Sequence, residues 1–267
     1  MSIKLFERKL NQSLALAFFL GLTINTPMPV QAQITELEPS LSQRALELNN
    51  TVVILPESYN DSDGMDYPIL FLMPFTGGTP TDLFNWYFSE LYQINTASQH
   101  IVVLPLADTA GKVEDIANPA AVERYENIVT ASLASLRSRY KVDSSRIAIA
   151  GWSLGGDLAW AIALRNPSIF QGVMIVGSRS INPRPSRVPQ VISELASNDV
   201  RFFMAMGEED KRLSDMRSSV DALAAYGVNH RFEIIPNADH GDAFNAYAQR
   251  EVQELSQQGI EYLFLRD

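Results

Sequence analysis

A chain of 267 residues that is 46% hydrophobic, contains no cysteine and carries a net charge of −10 at neutral pH is long and apolar enough to bury a substantial core. That composition excludes wholesale disorder, a disulfide scaffold, a thiolate metal cluster, a cysteine nucleophile and a lipidated amino-terminal cysteine. The acidic balance argues against a nucleic-acid partner, which needs a cationic surface to displace counterions.

In chain order, residues 1–32 have the pattern of a secretory leader. Lys4, Arg8 and Lys9 form a basic start, residues 13–24 are apolar, Pro27 and Pro29 break the run, and Val30-Gln31-Ala32 is a small-x-small cleavage pattern before Gln33. The apolar run is too short for a bilayer span of roughly 20 residues. The expectation is therefore a signal peptide over 1–32, a polar segment over 33–43 and one domain over 44–267. The mature product would be secreted or periplasmic, with no stable membrane insertion after cleavage. The leader carries three basic residues and one acidic, which leaves −12 on the remainder.

The rest of the chain alternates short β-branched runs with longer amphipathic ones. Strands are predicted at 51–55, 69–73, 101–104, 146–150, 172–176, 201–206 and 231–235, with a further one at 45–48 before an Asn49-Asn50 turn. Most are continuous apolar runs, as expected where both faces of a parallel sheet are covered. Helices are predicted at about 81–97, 120–140, 155–165, 211–226 and 242–258, the fourth capped by Asp210 and stopped by Gly227. Strand–helix alternation implies a doubly wound α/β sheet, here of seven to eight mostly parallel strands with helices on both faces. Neither a GxGxxG nor a GxxxxGK[ST] loop is present, no two histidines stand at metal-ligand spacing, and the acidic stretch 61–66 fails the register of a calcium loop. No cofactor and no metal is expected.

The chemistry-bearing stretch is Gly151-Trp152-Ser153-Leu154-Gly155-Gly156. G-x-S-x-G alone is a weak pattern. Here it follows a buried apolar strand and opens a helix, the strand–turn–helix setting in which a serine is strained upward above a sheet. Its glycines suit a place where backbones crowd, and the helix behind it aims its positive end at the site.

With these residues the chain resembles the α/β-hydrolase superfamily, in particular the compact serine esterases of the feruloyl-esterase and phospholipase/carboxylesterase type. The resemblance runs through Val142-Asp143-Ser144-Ser145-Arg146-Ile147, the Ser153 turn, Ala163-Leu164-Arg165-Asn166-Pro167 and Phe170-Gln171-Gly172-Val173. It extends back to Ile54-Leu55-Pro56-Glu57-Ser58-Tyr59 and Tyr67-Pro68-Ile69-Leu70-Phe71-Leu72, and covers about residues 50–250. It implies the chain order serine, acid, histidine. His240, in the loop after the last strand, is then the base, because catalytic groups of open α/β sheets gather at the carboxyl ends of strands. His100 and His230 instead precede strands.

The acid should follow strand 201–206. Gly207-Glu208-Glu209-Asp210 there matches the family's G-x-x-D and points to Asp210, with Glu208 and Glu209 as rivals and a helix cap as Asp210's plainer role. The oxyanion hole would use the backbone N–H of Leu154 and one from the loop Pro74-Phe75-Thr76-Gly77-Gly78. The family's usual His-Gly is replaced there by Pro74-Phe75. Pro74 has no N–H, leaving Phe75 or Thr76, with Phe75 preferred. The resemblance implies a hydrolase that splits a small-molecule or polymer-bound carboxylic ester through an acyl-enzyme on Ser153. Against it stand a thioesterase or acyl-peptidase using the same residues, and a catalytically silent hydrolase-like binding module.

Two further groups stand near these motifs. Phe84, Trp86, Tyr87, Phe88 and Tyr92 read as a helix face packed on the sheet rather than a binding wall. Residues 177–200, with Arg179, Arg184 and Arg187, are too short for a large cap domain and read as a solvated loop.

Overall fold

A computed structural model describes residues 45–76, 78, 82–83, 99–106, 119–180, 188–241 and 250–264. The expected leader over 1–32, the 33–43 segment, the aromatic run at 84–92, Arg184, Arg187 and most of the 81–97 helix lie outside the described residues. Eight strands run in chain order: β1 (Ala45–Leu48), β2 (Thr51–Ile54), β3 (Tyr67–Met73), β4 (Ile101–Pro105), β5 (Val142–Trp152), β6 (Gly172–Val176), β7 (Arg201–Gly207) and β8 (His230–Ile235). Among the described residues the helices are α1 (Pro119–Arg139), α2 (Leu154–Arg165), α3 (Val188–Ser197), α4 (Leu213–Ala225) and α5 (Arg250–Leu263).

The strands form one sheet in the order β1-β2-β4-β3-β5-β6-β7-β8. β2 pairs antiparallel with both neighbours and every other pairing is parallel, so only β2 runs against the rest. The fold is that of an α/β-hydrolase. β3, β4, β6 and β7 are buried at every position, which explains their unbroken apolar sequences.

Alternate residues of one strand serve two cores. Ile69, Phe71 and Met73 of β3 face the side where α1, α2, α3 and α4 pack, with Val122, Leu158, Ile192 and Met216 among the contributors. Leu70 and Leu72 face the other side, where Ile260 and Leu263 of α5 close the core. Fully burying such a side chain contributes about 1.5–3 kcal/mol each before conformational entropy is subtracted.

The strand ends differ from the sequence expectation in two instructive places. β3 starts at Tyr67 rather than 69, with a register irregularity between Tyr67 and Ile69. Pro68 lies inside that irregularity, where its missing N–H is tolerated. β5 starts at Val142 rather than 146, because the polar Asp143, Ser144 and Ser145 continue the strand before its buried part begins.

A larger difference is α3. The 177–200 connection is not simply a solvated loop. It contains a ten-residue helix that places Ile192 and Leu195 in the core. Arg179 is not a free loop cation either. Its guanidinium pairs with Asp157 at 2.9 Å. Asp210 does not cap the following helix directly. α4 begins after Arg212, and Asp210 Oδ1 instead accepts the Arg212 N–H at 2.9 Å in a side-chain turn. Gly227 follows the end of α4 at φ +69°, in the left-handed region glycine favours. Among the described residues no helix is long and apolar enough to cross a membrane.

Candidate active site

The site is built at the carboxyl ends of β5 and β7 and in the loop after β8. β5 delivers the chain into a turn at Ser153, whose backbone sits at φ 53°, ψ −118°. Positive φ is unfavourable for a residue with a Cβ, so the surrounding structure must hold it there. The reason lies in its glycines. A Cβ on Gly151 would come within 2.0 Å of the Gly155 carbonyl, and one on Gly155 within 2.4 Å of the Met73 carbonyl oxygen. The entering strand, the departing helix and the end of β3 therefore touch backbone to backbone. Ser153 N–H donates to the Val176 carbonyl at 2.9 Å, tying the turn to β6.

His240 brings the other two elements in. Its Nε2 lies 3.1 Å from Ser153 Oγ, and its Nδ1 lies 2.8 Å from Asp210 Oδ2. The Asp210 side chain is 2% exposed and that of His240 28%. The carboxylate fixes the tautomer: Nδ1–H donates to Asp210, which leaves the Nε2 lone pair to accept the Ser153 hydroxyl. The rivals are elsewhere. Glu208 and Glu209 are exposed, and Glu208 Oε2 accepts the Asn237 N–H at 3.1 Å. Asp239 is exposed beside the histidine, and Asp242 lies outside the described residues. His100 is buried against Phe264, at ring centroids 4.4 Å apart, and His230 Nδ1 lies against the Val228 carbonyl at 2.8 Å. Neither joins the site.

The ring of His240 is also held through its faces. Trp152 stacks nearly parallel to it, with centroids 5.0 Å apart and 15° between planes. Phe75 in turn meets Trp152 edge to face at 5.3 Å. Phe75 is buried rather than lining open space. Because Gly155 touches the Met73 and Pro74 carbonyls, the strand end that leads into Phe75 lies directly against the first turn of α2, where Leu154 is the first residue. The two expected oxyanion positions thus come from adjoining segments.

Two features of the site carry no recognisable sequence pattern. Arg212 places Nη1 2.8 Å from both His240 ring nitrogens and 3.3 Å from the Gly177 carbonyl. Asp157, buried in the first turn of α2, accepts the Ser178 hydroxyl at 2.6 Å, the Arg179 N–H at 2.8 Å and the Ser180 N–H at 3.2 Å, besides the Arg179 guanidinium. It clamps the segment after β6 onto the helix that follows the Ser153 turn. Burial lowers the His240 pKa, the Arg212 charge lowers it further, and Asp210 pulls it back up. The balance lies below the ordinary histidine value, so a neutral imidazole is favoured. Among the described residues no group of three His, Asp or Glu could hold a metal ion.

Comparison with known proteins agrees with this architecture. An uncharacterized protein of Corynebacterium glutamicum is 24% identical over 199 residues, covering 72% of this chain and 46% of its own length. The chain therefore spans about half of the curated relative it matches. S-formylglutathione hydrolase of Staphylococcus aureus superposes with a TM-score of 0.58 at 17% identity, over 83% of this chain and 95% of that one. The feruloyl esterase module of Clostridium thermocellum, complexed with sinapinate, gives 0.56 at 16% identity over 92% and 96%. At such identities these two structures speak for the fold. The family match goes further: the dienelactone hydrolase family covers residues 106–261, more than half of the chain, and includes Ser153, Asp210 and His240. The chain belongs to the dienelactone hydrolase family, within the α/β-hydrolase superfamily.

Proposed function

We propose that the protein is an exported serine hydrolase that cleaves carboxylic esters through an acyl-enzyme. The observation that carries this reading is the continuous hydrogen-bonded line from buried Asp210 through His240 to Ser153 on a strained turn. Ser153 Oγ bonds to the ester carbonyl carbon while its proton passes to His240 Nε2. The tetrahedral oxyanion meets the backbone N–H groups of Leu154 and Phe75. It collapses, the ester C–O bond breaks, and the alcohol leaves with the proton from Nε2. Water then adds to the acyl carbon, giving its proton to Nε2, and that proton returns to Ser153 Oγ as the acid departs. Asp210 holds the ring through Nδ1 and stabilises the transient imidazolium. Ester substrates are favoured over a silent binding role because the base, the nucleophile and the orienting carboxylate are all within hydrogen-bond reach. The leader-like sequence pattern over residues 1–32 supports the export part of this reading.

A fluorophosphonate probe tests the chemistry. The expected result is one covalent adduct on Ser153, lost in Ser153→Ala, together with turnover of p-nitrophenyl esters. Absence of both labelling and turnover would overturn it. A mass loss of 32 residues in exported material checks the leader, and a full-length membrane-bound product would refute it.

A further inference from the structure

Arg212 stands in an unusual relation to the base. The two nitrogens of an imidazole face away from each other. A donor aligned with one lone pair is therefore far from the second nitrogen. Nη1 of Arg212 is nevertheless 2.8 Å from both. In the plane of the ring, the equidistant position is filled by the Cε1–H group, so the guanidinium nitrogen must lie above the ring. Both in-plane positions remain with Asp210 and Ser153. The guanidinium is anchored by the Gly177 carbonyl at 3.3 Å, and its backbone N–H is anchored by the other oxygen of the same Asp210. Asp210 thus fixes the base directly and fixes the residue that covers it.

We propose that Arg212 is a positioning residue for the base: lying over His240, its guanidinium keeps the imidazole neutral, so that Nε2 remains an acceptor for the Ser153 hydroxyl well into acid. The electron-rich face of a neutral aromatic ring attracts a cation, whereas an imidazolium repels it. The surroundings leave this role to Arg212. Asp210 on the β7 loop and Asp239 on the histidine's own loop both favour the protonated ring. The β5 turn contributes uncharged Trp152 and Ser153, and the segment after β6 contributes the Gly177 backbone. Among the described residues, Arg212 is the cation that opposes the two carboxylates. Its side chain is half-buried, so solvent screens it only in part.

This inference rests on the hydrolase reading for its consequence but not for its measurement. The chain has three histidines, so a histidine-selective NMR titration of the whole protein is simple to read, and the spectrum of His240→Gln identifies the signals of the base. Wild type, Arg212→Met and Arg212→Lys are titrated, and the rate on p-nitrophenyl acetate is followed over the same pH range. In Arg212→Met the His240 midpoint should rise by at least about half a pH unit, and the acid limb of kcat/KM should move with it. Arg212→Lys, which keeps the charge, should stay nearer to wild type. An unmoved His240 midpoint in Arg212→Met overturns the proposal, even if the rate falls at every pH, since that is what loss of packing alone would give. If Arg212→Met does not fold, Arg212→Gln carries the same comparison. If no protein hydrolyses the ester, the hydrolase reading fails, while the NMR midpoints still decide what Arg212 does.

Discussion

The indole of Trp152 lies parallel to the imidazole of His240, 15° between planes and 5.0 Å between centroids. These residues come from distant parts of the chain, one immediately before Ser153 and one after the last strand. The stack restricts rotation of the ring, alongside its hydrogen bonds and the Arg212 guanidinium. An aromatic pair contributes about 0.5–1.5 kcal/mol beyond simple burial. Trp152→Leu should therefore lower kcat by roughly threefold to tenfold while KM for a small ester changes little. Steady-state kinetics on p-nitrophenyl acetate check it.

On the proposed mechanism the serine and the imidazole act as one unit, so Ser153→Ala and His240→Ala should each reduce kcat by several orders of magnitude without unfolding the sheet. For the same reason the double variant should be little worse than either single one. Additive losses would show that the two side chains do not cooperate. Thermal melts alongside establish that the fold is intact.

Asp210→Asn preserves shape but allows the wrong imidazole tautomer, and kcat should fall by roughly 10⁴. Glu208→Gln and Glu209→Gln should each cost less than about tenfold, since both are exposed. The amide of that variant keeps an oxygen able to accept the Arg212 N–H, and thermal melts alongside show that the fold is intact. The comparison is kcat of the three variants on one activated ester.

The pH dependence follows from the lowered pKa of His240. The acid limb of kcat/KM should lie below the ordinary histidine value of 6.5. Stability carries the same sign. Between the folded and unfolded pKa values the unfolded chain binds more protons, so this group's contribution is complete above the unfolded value and is lost as pH falls through the window below it. Chemical denaturation of wild type and His240→Gln across that window should show a steeper acid loss in wild type.

Asp157→Ala removes a carboxylate that accepts from five donor atoms and strands the guanidinium of Arg179, whose side chain is 37% exposed. The cost should be about 2–4 kcal/mol, at the lower part of the range for buried pairs because the arginine reaches solvent. For a domain of this size that is a fall in Tm of roughly 4–16 °C, read by calorimetry.

The parts legible in the sequence are those whose cause is local. Continuous apolar runs mark β3, β4, β6 and β7, because two covered faces demand them. The Ser153 turn is legible because its crowding admits only glycine at Gly151 and Gly155. What escapes is set by partners distant in sequence. Arg179 reads as a solvated cation until Asp157, 22 positions earlier, is seen beside it. Arg212 sits in a polar loop, and its place over His240, 28 residues on, follows from the pairing of β7 with β8. α3 is hidden by Pro189 and by the proline- and arginine-rich stretch before it, although Ile192 and Leu195 stand at helical spacing.

The three residues of the site are spread along the chain so that the last arrives only after β8, 87 positions beyond the first. A chain made from its amino terminus can therefore form the serine turn long before it owns a base. On the reading proposed here, hydrolytic competence waits until the loop after β8 has been made. A product interrupted before His240 lacks the base, so on that reading activity shows that synthesis has passed β8 at the far edge of the sheet.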